Sequence, residues 1–150
     1  VTETNPEHVL KGELSDSHPD VAFLIHALEL LFTHGLVQPF LLTNYIWDVV
    51  QHLPTILEGT RELIIQAKEI GGNQIGRGRV FLRLALNRGS IANIVSSMSQ
   101  SPPLMQFYEP FAMFRSEDMD LIITILNSVS VISYRVATAP QFIDQANYWD

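Results

Sequence analysis

Apolar residues recur along this chain with a period near 3.6, and prolines, glycines and short polar residues cut the pattern into segments. Around 21–36 apolar side chains almost encircle a helix, leaving His26, Glu29 and Thr33 in one stripe about 60° wide. Such a helix belongs at the centre of a bundle. The pattern predicts that it starts after Ser17-His18-Pro19-Asp20, with a polar residue as cap and Pro19 at the first helical position, and ends at Gly35.

Four further helices follow. One is predicted over 45–53, capped by Thr43 or Asn44 and stopped by Pro54; the next covers 60–70 and is closed by Gly71-Gly72. A third covers 76–87 with Gly89 as terminator, and a fourth covers 90–98 before a break at Ser101-Pro102-Pro103. From Ser116-Glu117-Asp118 the period runs on to Val136, with Leu121, Ile125, Val129, Ile132 and Val136 on one face, which predicts the longest helix. The β-branched run 129–136 also suits a strand, but a lone strand has no partner elsewhere in this pattern, so helix is preferred. Residues 1–20 form a polar segment, and 21–150 read as a single all-α bundle of about seven helices. Phe142, Tyr148 and Trp149 predict that the tail packs back on it.

Composition fits one compact domain, with 47% hydrophobic and 17% charged residues in 150. The most apolar region, 119–136, is interrupted by Asn127, Ser128, Ser130, Ser133 and Arg135, so no transmembrane segment is expected. With no cysteine there are no disulfides, thiolate metal sites or thiol nucleophiles, and a cytoplasmic setting is natural. A net charge of -7 argues against nucleic acid as a partner.

That charge is uneven. Residues 61–88 hold six cations (Arg61, Lys68, Arg77, Arg79, Arg83, Arg88) against Glu62 and Glu69, a local reversal that argues for directed electrostatics. Arg79, Arg83 and Asn87, at i, i+4 and i+8, make one polar stripe on an otherwise apolar helix. Two readings stay open: internal bidentate pairs with Glu109 as acceptor, or cations facing a partner. Arg77, in the glycine-flanked turn, is expected at the surface and is the best contact candidate; Lys68, Arg79 and Arg83 complete the partner-binding set.

Other chemistry finds little support. The run Gly71-Gly72-Asn73-Gln74-Ile75-Gly76-Arg77-Gly78 lacks the Lys-Ser/Thr pair and preceding strand of a phosphate loop, so its glycines are read as helix punctuation, with an anion at the helix start as a lesser reading. His18, His26 and His34 are spaced by eight, a poor metal-ligand spacing, and no catalytic or cofactor motif occurs. His34 is expected to meet the carbonyl end of its own helix. Phe107, Tyr108, Phe111 and Phe114 read as rings locking a loop to the core, with Phe111 or Phe114 as the alternative centre of an interface.

Gly76-Arg77, Arg79, Phe81 and Leu82-Arg83-Leu84-Ala85-Leu86, followed by Phe107-Tyr108-Glu109-Pro110, resemble the RUN domain family. The upstream block ending in His34-Gly35-Leu36 and the pair Trp47-Asp48 match the family in the same order. Phe81 stands where the family usually has tryptophan. The resemblance implies a helical, non-catalytic module without cofactor, binding a GTP-loaded small GTPase of the Rab, Rap or Arf-like kinds in a trafficking adaptor. It also implies recruitment through partners to endosomal or lysosomal membranes; a nucleotide-independent scaffold for a motor, cytoskeletal or adaptor protein is the alternative.

Overall fold

The computed structural model describes residues 13–145. Among them lie seven α-helices: α1 (Pro19–Thr33), α2 (Ile46–Val50), α3 (Arg61–Ile70), α4 (Gln74–Arg88), α5 (Ile91–Ser99), α6 (Pro102–Met105) and α7 (Met119–Val129). Two short strands, β1 (Glu13–Ser15) and β2 (Ser133–Arg135), are the exception to an all-α fold.

Helix α4 is the hub, packing on α1, α2, α3 and β2, with Val80, Phe81, Leu82, Ala85 and Leu86 buried. Gly78 admits α2 at close range: a Cβ there would stand 2.9 Å from Ile46 Cβ and 3.1 Å from the Trp47 backbone nitrogen. Helix α1 is the other central element, as its nearly all-round apolar surface predicts, and it starts at Pro19 with His18 Nδ1 accepting from the Asp20 N–H at 3.1 Å.

Helix α2 is shorter than expected. Its N-cap is Tyr45, not Thr43 or Asn44, because the Asp48 carboxylate reaches back to the Tyr45 N–H at 2.7 Å, and Pro54 sits inside a 3-10 turn, Leu53–Thr55. The break at Ser101 holds α6, since the two prolines are pre-set for a first helical turn and the Ser101 hydroxyl accepts from the Leu104 N–H.

The largest departure lies in 116–136. Helix α7 stops at Val129, and Ser133–Arg135 forms β2, paired in parallel with β1 in the register Glu13↔Ser133, Leu14↔Tyr134, Ser15↔Arg135. The missing strand partner is thus in the polar segment, and the folded unit takes in Glu13–Ser15 ahead of a boundary at residue 21. Asn87 holds the next residue from the other side: its Oδ1 accepts from the Val136 N–H at 2.8 Å and its Nδ2 donates to the Val136 carbonyl at 3.0 Å. One side-chain amide serves both backbone groups of buried Val136 as a neighbouring strand would. The β1–β2 pairing also ties the start of α1 to the end of α7, so the two helices run antiparallel.

The His34-Gly35-Leu36 and Phe107-Tyr108-Glu109 blocks meet in one joint. The Val37 N–H donates to the Phe107 carbonyl at 2.8 Å, the Glu109 N–H to the Gly35 carbonyl at 2.7 Å, and the buried Tyr108 hydroxyl to the Phe32 carbonyl at 2.7 Å. Burial pushes the Tyr108 phenol well above its ordinary range, which keeps it a donor. The His34 side chain does not turn to its helix carbonyls: its Nδ1 accepts from the Met113 N–H at 3.1 Å, while the backbone N–H caps Leu30. Phe114 packs edge-on to Phe32 with centroids 5.3 Å apart, whereas Phe111 is exposed beside His34.

Candidate protein-interaction site

The polar stripe of α4 faces inward. Arg79 is 5% exposed; its Nε donates to Glu29 Oε2 at 2.9 Å and its Nη1 to the Ile143 and Gln145 carbonyls at 2.9 and 2.5 Å. Arg83 is 4% exposed, and its Nη1 donates to the Arg79 carbonyl at 3.3 Å. With Asn87 on Val136, the stripe links α4 to α1 and to the chain's own segment 136–145. This corrects the reading of Arg79 and Arg83 as outward contacts, and it replaces Glu109 with Glu29 as the acid that meets Arg79. The physical reason is position: in the most enclosed helix, a polar stripe has only the protein's own backbone and carboxylates to face, and a buried guanidinium is tolerated only when so paired.

The glycine-rich turn is an internal cradle. Asn73 caps α4 through Oδ1, which accepts from the Gly76 N–H at 2.8 Å, and its Nδ2 donates to the Asp144 carbonyl at 3.0 Å. The Gly72 N–H donates to Asp144 Oδ1 at 3.1 Å. Asp144 therefore lies at the positive end of the helix, where an outside anion would otherwise bind. A Cβ on Gly76 would overlap that carboxylate. Gly76→Ala is accordingly expected to cost about 1–3 kcal/mol in urea melts, the overpacking outweighing the better helix propensity of alanine. Adding Asp144→Gly should recover most of the loss, since it removes the overlapping group.

What remains at the surface is a corner where α3 ends and α4 begins. Lys68 is exposed in the last turn of α3. Arg77 is half-buried, with Nε donating to the Gly71 carbonyl at 3.3 Å and its Cα 2.6 Å from where a Gly71 Cβ would stand. Lys68 and Arg77 are thus brought to one place, flanked by exposed Ile65 and Ile70 and tempered by Glu69 and Asp144. Arg88 pairs with Glu62 at 3.6 Å, at the far end of α4. Of the six cations in 61–88, Arg79 and Arg83 thus form an internal brace, Lys68 and Arg77 lie at this corner, and Arg61 and Arg88 lie away from both.

A cleft of about 260 Å³ opens beside α1, but its two charged residues, Glu29 and Arg79, are joined to each other. Among the described residues no three His, Asp or Glu side chains converge to hold a metal, and no helix is long and apolar enough to cross a membrane. Sequence reasoning missed Asp144, for which no local signal exists. Glu29 was visible as the acid in the polar stripe of an apolar helix, though not as the acceptor of Arg79.

The chain is similar to Protein RUFY3 of Pongo abelii and of Homo sapiens, at 28% identity to each over 124 residues, 79% of this chain. It spans about a quarter of the length of these relatives, 26% of each. The RUN domain family matches residues 23–139, an interval that holds the joint of the two blocks, the α3–α4 corner and the inward stripe of α4. With that match running across most of its length, the chain belongs to the RUN domain family of small-GTPase-associated interaction modules.

Proposed function

We propose that this domain binds a GTP-loaded small GTPase of the Rab, Rap or Arf-like kinds, as the recognition module of a membrane-trafficking adaptor. The observation that carries the reading is the family match over 23–139. Lys68 and Arg77, with exposed Ile65 and Ile70 beside them, supply the contact: apolar side chains next to cations have the composition of a protein interface. Arg79 and Arg83 act from inside, holding α4 so that Arg77 is presented. A GTPase orders its switch loops when GTP is bound, and a rigid corner can read that order. The cations mainly set orientation and encounter rate. The interface is expected to bury about 1,200–2,000 Å² in total. Recruitment to endosomal or lysosomal membranes would follow from the partner.

The test is retention of the purified domain by a panel of GTPases loaded with a non-hydrolysable GTP analogue or with GDP. Selective retention by the GTP-analogue form of one or more is the expected result. Equal retention of both forms overturns the proposal in favour of a nucleotide-independent scaffold for a motor, cytoskeletal or adaptor protein.

A further inference from the structure

A second surface lies between α1 and α7. Leu24, Ala27, Leu28 and Leu31 of α1 face Ile122 and Ile125 of α7 across an apolar groove of about 230 Å³. Its walls continue onto residues that a monomer would ordinarily cover: Phe23 is 72% exposed, Leu30 56%, Leu121 61% and Ile125 53%. The groove runs along two antiparallel helices, with Met113 lining it beside the start of α7.

Charge distinguishes its ends from its floor. Neither α1 nor α7 contains a lysine or arginine. Asp20 lies one turn before Leu24 on the groove-lining stripe of α1, and Asp118 one turn before Ile122 on α7; both are exposed. Because the helices are antiparallel, these carboxylates stand at opposite ends of the groove. Glu117 and Asp120 add to the Asp118 end and Asp16 to the other, all exposed. The two cations nearest the ends are engaged: Arg115 donates through Nη1 to the Tyr108 carbonyl at 2.9 Å, and Arg135, beside Ser15 in the β1–β2 pair, lies 3.4 Å from Glu13.

We infer that the α1–α7 groove is a docking site for one amphipathic helix of a partner protein, about three turns long, that presents leucine-like side chains to the groove and lysine or arginine at both of its ends. The apolar floor supplies contact area, and the bracketing acids fix register and exclude acidic helices, as in other helix-in-groove recognition. A second copy of this chain is disfavoured as occupant, since its own α1 and α7 would bring acid against acid. This surface is separate from the Lys68–Arg77 corner, and it stands whether or not a GTPase binds there.

The test uses a fluorescein-labelled helical peptide about 14 residues long, with leucine at i, i+3, i+4 and i+7 and paired lysines at each end, and a twin in which glutamate replaces every lysine. Fluorescence anisotropy should show saturable binding of the lysine peptide and binding of the glutamate twin weaker by roughly tenfold or more. Ile125→Asp, at an exposed position and checked for an unchanged melting temperature, should abolish binding. Asp20→Lys with Asp118→Lys should reverse the preference between the twins. Binding of neither peptide, equal binding of both, full binding by Ile125→Asp, or an unreversed preference in the double variant would each overturn the inference. So would a dimer by light scattering that Ile125→Asp dissolves.

Discussion

Arg79→Met is expected to lower the stability of the domain by about 3–5 kcal/mol, because it leaves the Glu29 carboxylate inside the fold without the guanidinium that meets it at 2.9 Å. Methionine keeps much of the side-chain volume, so the loss would report charge and hydrogen bonding more than packing. The same change removes the donors to Ile143 and Gln145, and amide exchange should rise across 134–145 before it rises in α5 or α6. Glu29→Gln in the Arg79→Met background should restore part of the stability by removing the buried charge. Urea melts of the wild type, the two single variants Arg79→Met and Glu29→Gln, and the double variant measure the coupling directly, and a cost below about 1 kcal/mol for Arg79→Met would mean that the inward stripe is not a brace.

Gly35→Ala is expected to be similarly damaging, for a different reason. Its φ of +75° lies in the left-handed region, where a side chain costs about 1–2 kcal/mol. A Cβ there would also overlap the Ala112 side chain and come within 2.7 Å of its Cα, both in the fixed joint between the two blocks. Overpacking adds about 1–3 kcal/mol, giving about 2–5 kcal/mol together. Gly59→Ala is the control: its φ is +88°, yet nothing lies within 4 Å of the new Cβ, so only the backbone term applies. Melts that place the two variants together would remove packing against Ala112 as the reason for glycine in His34-Gly35-Leu36.

The contrast between these residues explains how far the sequence could be read. Helix α1 was legible because its boundaries are local: Pro19 starts it and a left-handed glycine ends it. Residues 133–136 were not, since a β-branched apolar run fits helix and strand alike, and the deciding partners, Glu13–Ser15 and Asn87, lie 49 or more positions away. The arginines were legible by halves. Burial chemistry requires that Arg79 have an acceptor, but whether that acceptor is Glu29, Glu109 or a partner protein is fixed only by the packing of α1 on α4. Of the glycines of 71–78, Gly71 ends α3 as read, but Gly76 and Gly78 lie within α4, and the carboxylate against Gly72 and Gly76 comes from Asp144, 72 residues from Gly72.

The proposed function assigns the cations two tasks: Arg79 and Arg83, turned inward, hold the fold, and Lys68 and Arg77, at the surface, meet a partner. The affinity of Lys68→Glu/Arg77→Glu for a GTP-analogue-loaded GTPase that retains the wild-type domain, measured by calorimetry, tests it most directly. The predicted result is binding weakened by roughly tenfold or more, as expected of reversed charges at an interface, with thermal unfolding shifted by no more than about a few degrees. Wild-type affinity in that variant would contradict the account.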